Sequence, residues 1–161
     1  MSFDKEILDP CCGSRMFWFD KSDDRVIYGD KRNESHILCD GRTLTISPDK
    51  LMDFRNIPFA DDSFSLVVFD PPHLKTAGVN GWIGKKYGIL SADWKDDLTK
   101  GFAECFRVLK PNGVLIFKWN ETQIKTREIL ALTPEKPLFG HISGKASGTH
   151  WVTFMKTGVT K

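Results

Sequence analysis

Four short apolar segments that each end in an aspartate constrain the fold of this chain more than any other feature. The acids that follow these segments are Asp9, Asp30, Asp53 and Asp70. A single aspartate at a strand end commonly forms a turn or caps a helix, and that interpretation stays open for each acid taken alone. Four in succession predict that parallel strands deliver carboxylates to one edge of a sheet, where ligands bind in open α/β folds.

The predicted strands are short and continuously apolar, which is typical of a sheet buried on both faces. They are Ile7-Leu8, Val26-Ile27-Tyr28, Leu51-Met52, Ser65 to Phe69, Val114 to Phe117, Pro137-Leu138-Phe139 and Trp151 to Met155. Between Ser35 and Ile46 the sequence predicts a hairpin, with Asp40-Gly41 as its turn.

Helices are fewer than strands. The segment from Asp93 to Leu109 has apolar residues at helical spacing, and Asp93 is positioned to cap its start. Shorter helices are predicted at Thr122 to Leu132 and at Ser14 to Phe19. The pattern predicts an α/β fold: a doubly wound, mostly parallel, Rossmann-like sheet of about seven strands with an antiparallel terminal strand. A chain of 161 residues is expected to form a single domain over residues 1–161.

Composition narrows the class of protein. No apolar run approaches the roughly 20 residues of a membrane span. The first residues include acids where a signal peptide would be apolar, so we expect a cytoplasmic protein with no membrane partner. The net charge of +2 decides neither for nor against nucleic acid.

The cysteines lack CxxC spacing; they are Cys11, Cys12, Cys39 and Cys105. We predict reduced thiols and no metal site, the alternative being zinc held by Cys11, Cys12 and a distant histidine.

The turn after the first strand reads Asp9-Pro-Cys-Cys-Gly-Ser-Arg15, and its glycine lets the backbone approach a ligand. Asp30 lies 21 residues after Asp9, a spacing at which an acid accepts hydrogen bonds from ribose hydroxyls. The dinucleotide fingerprint G-x-G-x-x-G is absent. We therefore expect a nucleoside ligand without phosphates.

In this ordered set of segments the chain resembles the class I S-adenosylmethionine-dependent methyltransferases, over roughly residues 6–156. The first turn resembles the motif that holds the methionine part of the cofactor, and Asp30 matches the ribose-binding acid. Asp53, followed by Ile57-Pro58-Phe59, resembles the segment whose acid accepts from the adenine amine. The resemblance implies S-adenosylmethionine as cofactor, held by Asp9, Pro10, Cys11, Cys12, Gly13, Arg15, Asp30, Asp53, Phe54 and Asp70.

The chain departs from this family in three places. Arg15 stands where a second glycine is usual, and we expect it to reach the cofactor's carboxylate. The Ser35–Ile46 hairpin replaces a helix, and no helix is predicted before the first strand. No segment is large enough for a target-recognition domain, so a homodimer or a separate recognition partner is an alternative to a chain that acts alone.

Asp70-Pro71-Pro72-His73 resembles the motif of methyltransferases that act on an amino group conjugated to a ring or a carbonyl. The lone pair of such an amine is delocalised, so its nitrogen is a poor nucleophile. Asp70 and the Pro71 carbonyl can accept its two N–H bonds and free the lone pair, while the prolines hold both acceptors still. The alternative is that the prolines only end a strand and that His73 is a surface residue.

His73 falls where an aromatic residue usually stacks on a base, and it could also take the proton that the amine loses. The loop from Leu74 to Leu90 interleaves basic and aromatic residues, which suits an unpaired base and its phosphates, although a plain structural loop fits equally. We predict catalytic roles for Asp70, Pro71, Pro72 and His73. Substrate contacts are predicted for Lys75, Trp82, Lys85, Lys86, Lys118 and Asn120.

The sequence thus predicts an S-adenosylmethionine-dependent methyltransferase of an exocyclic amine, most readily a nucleobase in DNA (adenine N6 or cytosine N4) or RNA. A protein glutamine amide or a small-molecule amine is the first alternative substrate. The second alternative is a non-catalytic cofactor-binding subunit that needs a partner.

Overall fold

The computed structural model describes residues 5–78, 81–144 and 147–158, and within them six strands come first, followed by helices interspersed with three further strands. The strands are β1 (Ile7–Asp9), β2 (Val26–Asp30), β3 (Glu34–Ile37), β4 (Thr43–Ile46), β5 (Lys50–Leu51), β6 (Phe64–Phe69), β7 (Leu109–Asn120), β8 (Phe139–Ser143) and β9 (Thr149–Met155). The helices are α1 (Trp82–Tyr87), α2 (Trp94–Val108) and α3 (Thr126–Leu130). Among the described residues, no helix has the length and apolar character that a bilayer crossing requires.

Seven strands form one sheet in the order β5-β2-β1-β6-β7-β9-β8. The first five are parallel to one another, and β9 runs antiparallel to both β7 and β8. This confirms the predicted mostly parallel, Rossmann-like sheet. The chain turns from one half of the sheet to the other between β1 and β6, so the crevice above these two strands is where a ligand is expected.

Helix α2 covers one face of the sheet. Its Phe102 ring lies 5.6 Å from Phe69 and 4.9 Å from Phe117, between ring centroids. The helix matches its prediction to within one residue at each end. However, the Asp93 side chain makes no capping hydrogen bond. The Ser91 hydroxyl instead accepts the Asp93 N–H at 3.1 Å and donates to Asp97 at 2.6 Å.

The opposite face of the sheet is covered over β2 but not over β7. The prediction of a sheet buried on both faces is therefore wrong for the half of the sheet that contains β7. Over β2, Val26 and Tyr28 pack with Cys12 and Trp18. Over β7 no helix lies on this side among the described residues, and every second residue, such as Ile116, is only half-buried. The reason is that turns and a hairpin occupy the stretches of chain where this fold usually places helices.

The short helix predicted at Ser14 to Phe19 is wrong, since this segment forms turns. Gly13 and Arg15 both adopt the left-handed conformation, with φ of 50° and 56°, which interrupts a right-handed helix at once. The helix predicted over Thr122 to Leu132 is real but shorter, because Asn120 and Glu121 hold the preceding residues in a turn. Helix α1 was not predicted.

The predicted hairpin is confirmed as β3 and β4, joined by a turn in which Gly41 has φ of 81° and donates its N–H to Leu38 at 2.9 Å. Near the chain's end, β9 contains the predicted strand. The neighbouring strand β8 begins at Phe139, where its prediction ended, because β9 offers pairing partners from Thr153 back to Thr149.

Candidate functional site

Two adjoining cavities lie at the carboxyl ends of β1, β2 and β6. The Asp30 cavity is lined by Pro10, Cys11, Asp30, Lys31, Arg32, Glu34, Met52, Phe54, Asp70, Pro72, Gly84, Tyr87, Gly88 and Ile89. The His73 cavity is lined by Cys11, Cys12, Gly13, Ser14, Met16, Phe17, Arg32, Asp70, Pro71, His73, Lys86, Tyr87 and Lys118. Because they share four residues, the two cavities form one crevice, and Asp70 lies at their junction.

Asp30 ends β2 as a buried carboxylate on the wall of the first cavity. Its two oxygens accept N–H bonds from Gly13 at 3.0 Å and from Arg32 at 2.9 Å. A carboxylate oxygen can accept more than one hydrogen bond, so capacity for a ligand hydroxyl remains. The first turn is thereby tied to the second strand, which joins two segments of the predicted cofactor site.

Asp9 lies directly beneath this turn and faces neither cavity. It is fully buried, accepts the Cys11 N–H at 3.1 Å and accepts the Trp18 indole N–H at 2.8 Å. Burial raises the pKa of Asp9 to about 7, although both hydrogen bonds oppose the shift. In this structure Asp9 holds the turn whose other residues, Pro10 to Gly13, line the crevice.

Arg15 points away from both cavities. Its guanidinium bonds the Ser47 carbonyl at 2.9 Å and Asp49 at 3.0 Å, and it stacks 3.9 Å from the centre of the Tyr28 ring. Its positive φ gives a physical reason for the glycine usual at this position, because glycine adopts that conformation without steric cost.

The segment from Met52 to Phe54 divides between two environments. Met52 and Phe54 line the Asp30 cavity. Asp53 lies outside the residues that line either cavity and is bound to Arg55, with 2.6 Å between Nη2 and Oδ2. Arg55 holds the pKa of Asp53 below its usual value. The sequence predicted that both Asp53 and Phe54 hold the cofactor. In the structure the apolar side chains of Met52 and Phe54 form this part of the cavity wall, and Asp53 does not.

Asp70 follows β6 and is paired with Lys118 of β7, with 2.9 Å between Nζ and Oδ2. Burial raises the pKa of Asp70, and the Lys118 charge opposes that shift. Among the described residues, Oδ1 of Asp70 accepts no hydrogen bond. Pro71 and Pro72 then diverge, so that Pro71 lines the His73 cavity and Pro72 lines the Asp30 cavity.

His73 lies inside the second cavity rather than on the surface. Its ring centroid is 5.4 Å from that of Tyr87 and 6.2 Å from that of Trp119. Burial, and to a smaller extent the Lys118 charge, lowers the pKa of His73 to about 4. The imidazole is therefore neutral near pH 7 and packs beside the aromatic rings of Tyr87 and Trp119.

The predicted substrate residues divide into two groups. Lys86 and Lys118 line the His73 cavity, whereas Trp82 and Lys85 line a separate groove beside Ile37 and Leu38 of the β3–β4 hairpin. Asn120 is committed to its turn, because its amide donates to Ser147 at 2.6 Å and its Oδ1 accepts from Thr122 at 3.0 Å.

The Lys75 backbone N–H donates to Gln123 at 2.6 Å, and its side chain lines neither cavity.

Several residues that line the site were not predicted, and two of them connect its parts. Arg32 lies in both cavities and bonds the Lys85 carbonyl of α1 at 2.8 Å, so it ties the end of β2 to this helix. Tyr87 of α1 also borders both cavities, and Phe17 borders the second. Only the position of Arg32, two residues after Asp30, offered a signal in the sequence.

Comparison with solved structures assigns the fold. A protein from Pyrococcus horikoshii is 15% identical over 94% of this chain and 81% of its own, with a TM-score of 0.59. A TehB-like SAM-dependent methyltransferase from Corynebacterium glutamicum is 16% identical over 94% of this chain and 79% of its own, with a TM-score of 0.59. The chain has the SAM-dependent methyltransferase fold. A methyltransferase of this fold from Methanosarcina mazei is 12% identical over 98% of this chain and 94% of its own, with a TM-score of 0.53.

No protein-family model and no curated protein matches the sequence. The methyltransferase fold is therefore established by structure alone, and the site must be interpreted from its own chemistry. Among the described residues, no group of three or more His, Cys, Asp or Glu side chains is arranged to hold a metal ion.

Proposed function

We propose that this protein is an S-adenosylmethionine-dependent methyltransferase that acts on the exocyclic amine of a nucleobase. The observation that carries the proposal is the junction of the two cavities at Asp70. One cavity offers the features of a nucleoside site, and the other offers an acceptor for an amine. A methyl group carried at this junction, by a cofactor that extends from the first cavity into the second, would meet a nucleophile held in the second.

The Asp30 cavity has the donor set that a nucleoside without phosphates requires. Asp30 supplies a charged acceptor for two ribose hydroxyls, and Met52, Phe54 and Ile89 supply an apolar slot for the base. In the His73 cavity, Cys12 and Gly13 would hold the methionine end. When bound, the cofactor supplies an electrophilic methyl group on a sulfonium.

Within the second cavity the chain's own residues would prepare the amine. Asp70 Oδ1 and the Pro71 carbonyl would accept the two N–H bonds of the amine, which localises its lone pair toward the methyl donor. Burial raises the pKa of Asp70, and Lys118 opposes that shift by favouring the ionised form, in which both oxygens are free of protons and can accept. The neutral His73 and Tyr87 would contact the faces of a flat heterocycle.

Two features support a nucleic acid as the carrier of this base. Lys86 lies at the crevice with its ammonium 5.4 Å from the centre of the exposed Trp82 ring, and Lys85 and Trp82 line the neighbouring groove. Cations beside an exposed aromatic ring suit an unpaired strand, whose phosphates and bases they bind. A protein glutamine amide has the same kind of NH₂ group and is the second candidate substrate.

The face of the sheet that is left uncovered over β7, β8 and β9 supports the proposal that the protein binds a partner. Phe139 and Met155 are 68% and 44% exposed on β8 and β9, and Ile116 lies between them and the sheet centre. We include in the proposal a homodimer or a recognition subunit that covers this face and contributes contacts to the target.

Purified protein incubated with methyl-labelled cofactor and separate pools of DNA, RNA and protein tests the function. We expect label in a nucleic-acid pool, on an exocyclic nitrogen. Label only in protein or in small molecules would overturn the nucleobase assignment. No transfer by the chain alone, with transfer restored by an added cell extract, would instead identify a subunit that needs a partner.

A further inference from the structure

The Asp70–Lys118 pair on the wall of the His73 cavity places a hydrogen-bond donor beside the acceptor that the proposed function uses. The Lys118 Nζ lies 2.9 Å from Oδ2 of Asp70. Its ammonium also lies 5.3 Å from the centre of the Phe17 ring and 5.7 Å from that of Trp151. These contacts fix the position of a flexible side chain, which makes it suitable for recognition.

Each member of the pair has unused capacity. A lysine ammonium has three N–H donors, and within residues 5–78, 81–144 and 147–158 Nζ makes one hydrogen bond, to Asp70. Asp70 Oδ1 accepts none from the same residues. Both side chains line the cavity. A ligand that enters therefore meets one acceptor and one donor side by side.

This arrangement complements a particular chemical edge, in which an amine lies next to a ring nitrogen that carries a lone pair. Adenine offers N6–H beside N1, and cytosine offers N4–H beside N3. Resting on the proposed function, we infer that Lys118 determines specificity by donating to that ring nitrogen while Asp70 accepts from the amine. The pair thereby favours conjugated amines that carry a lone-pair acceptor beside the NH₂ group.

The same pair disfavours another class of amine. A primary alkylamine is a cation near pH 7 and has no adjacent acceptor, so it would leave the Lys118 donor unpaired and place two positive charges together. Like charges in a partly buried site repel each other, and this repulsion selects against the wrong substrate. A lysine side chain or a small alkylamine is therefore a poor substrate for this site.

Atom-substituted bases test the inference. The probes are random-sequence DNA and RNA oligonucleotide pools that contain either cytosine or 3-deazacytosine, and either adenine or 1-deazaadenine. Each deaza base keeps the amine but replaces the ring acceptor by C–H. For the wild type we expect kcat/KM for the base that it methylates to fall about tenfold to a hundredfold on deaza substitution, the range for a lost hydrogen bond to a charged group.

Variants of Lys118 test whether this residue causes the preference for parent over deaza bases. Lys118→Met keeps the chain length and removes the donor, so its rates or affinities for the parent and deaza bases should be nearly equal. Lys118→Arg keeps a donor and should retain a preference for the parent base. Lys110→Met is the matched control: the same change on the same strand at a lysine paired with Glu6, and it should discriminate as the wild type does.

For a variant without turnover, the preference is measured as the ratio of affinities for the parent and deaza pools. These affinities come from equilibrium binding in the presence of S-adenosylhomocysteine. Equal use of parent and deaza bases by the wild type would overturn the role of Lys118, as would discrimination that survives in Lys118→Met. Failure of the proposed function has a different signature: no methyl transfer to any pool by wild-type protein that binds S-adenosylhomocysteine normally.

Discussion

The two cavities of the crevice differ in how far their key acids are already satisfied by the protein. Asp30 accepts backbone N–H bonds from Gly13 and Arg32 at 3.0 and 2.9 Å, and the Arg32 guanidinium lies 3.3 Å away, so the fold itself holds the carboxylate in place. Asp70 has one partner, the Lys118 side chain, and one oxygen without a partner among the described residues. Under the proposed function, this contrast assigns binding to the Asp30 side of the crevice and reaction to the Asp70 side.

Asp70→Ala has the largest expected effect, and it should affect catalysis while leaving cofactor binding nearly unchanged. It removes the acceptor that would localise the lone pair of the amine, so kcat should fall by roughly a hundredfold or more. The affinity for S-adenosylhomocysteine, measured by calorimetry, should change little. Asp70→Asn is the shape-matched control and should retain part of the rate. A wild-type rate in the alanine variant would reduce Asp70-Pro71-Pro72-His73 to a strand end.

Asp30→Ala should show the opposite pattern. Loss of a charged acceptor for two hydroxyls is expected to weaken S-adenosylhomocysteine binding by roughly 1.5–3 kcal/mol. At saturating cofactor, kcat should stay close to that of the wild type, because Asp30 does not contact the amine. If calorimetry finds unchanged affinity, Asp30 serves only to hold the Gly13 turn.

Variants of His73 and the pH dependence of the rate distinguish stacking by this residue from proton transfer. Stacking alone predicts that His73→Phe keeps most activity and that His73→Ala loses about tenfold or more. With its pKa at about 4, His73 should add no limb near neutrality to the wild-type rate profile. Equal loss in both variants, together with a limb near pH 7, would assign proton transfer to His73 instead.

The same lowered pKa affects stability. Between pH 6.5 and 4 the unfolded state binds more protons at His73 than the folded state does, so the free energy of unfolding should decrease as the pH falls through this window. His73→Phe lacks this loss. Urea unfolding of both proteins at pH 7 and pH 5 measures the difference, and subtraction cancels the opposite trend of Asp9, whose pKa is raised to about 7.

Arg15→Gly has the smallest expected effect. The side chain bonds Ser47 and Asp49 outside the two cavities, so affinity for S-adenosylhomocysteine should stay within about twofold. Glycine also suits the positive φ at this position. A loss of tenfold would support the sequence-based expectation that Arg15 reaches the cofactor's carboxylate.

These residues also explain how far sequence alone could go. The strand ends at Asp30 and Asp70 were predictable because apolar runs and their breaks are local signals, and parallel pairing then brings them together. The orientation of Arg15 was not, since it depends on Asp49 and Ser47, more than thirty residues away. The ring beside His73 likewise comes from Tyr87, in a helix that was not predicted. The pairing of Asp53 with Arg55 is different, because it joins residues two positions apart and was a local signal that the prediction missed.

The long-range pairing of the sheet centre has a consequence for folding. Val67 and Phe69 pair with Leu115 and Phe117 on β7, so about fifty residues must be synthesised before the central strand gains this neighbour. At ribosomal speeds of about 5–20 residues per second, β6 waits several seconds with one edge unpaired. Such non-local topology slows folding. We therefore expect the nascent chain to expose an apolar strand edge for seconds, the interval in which a chaperone would bind it.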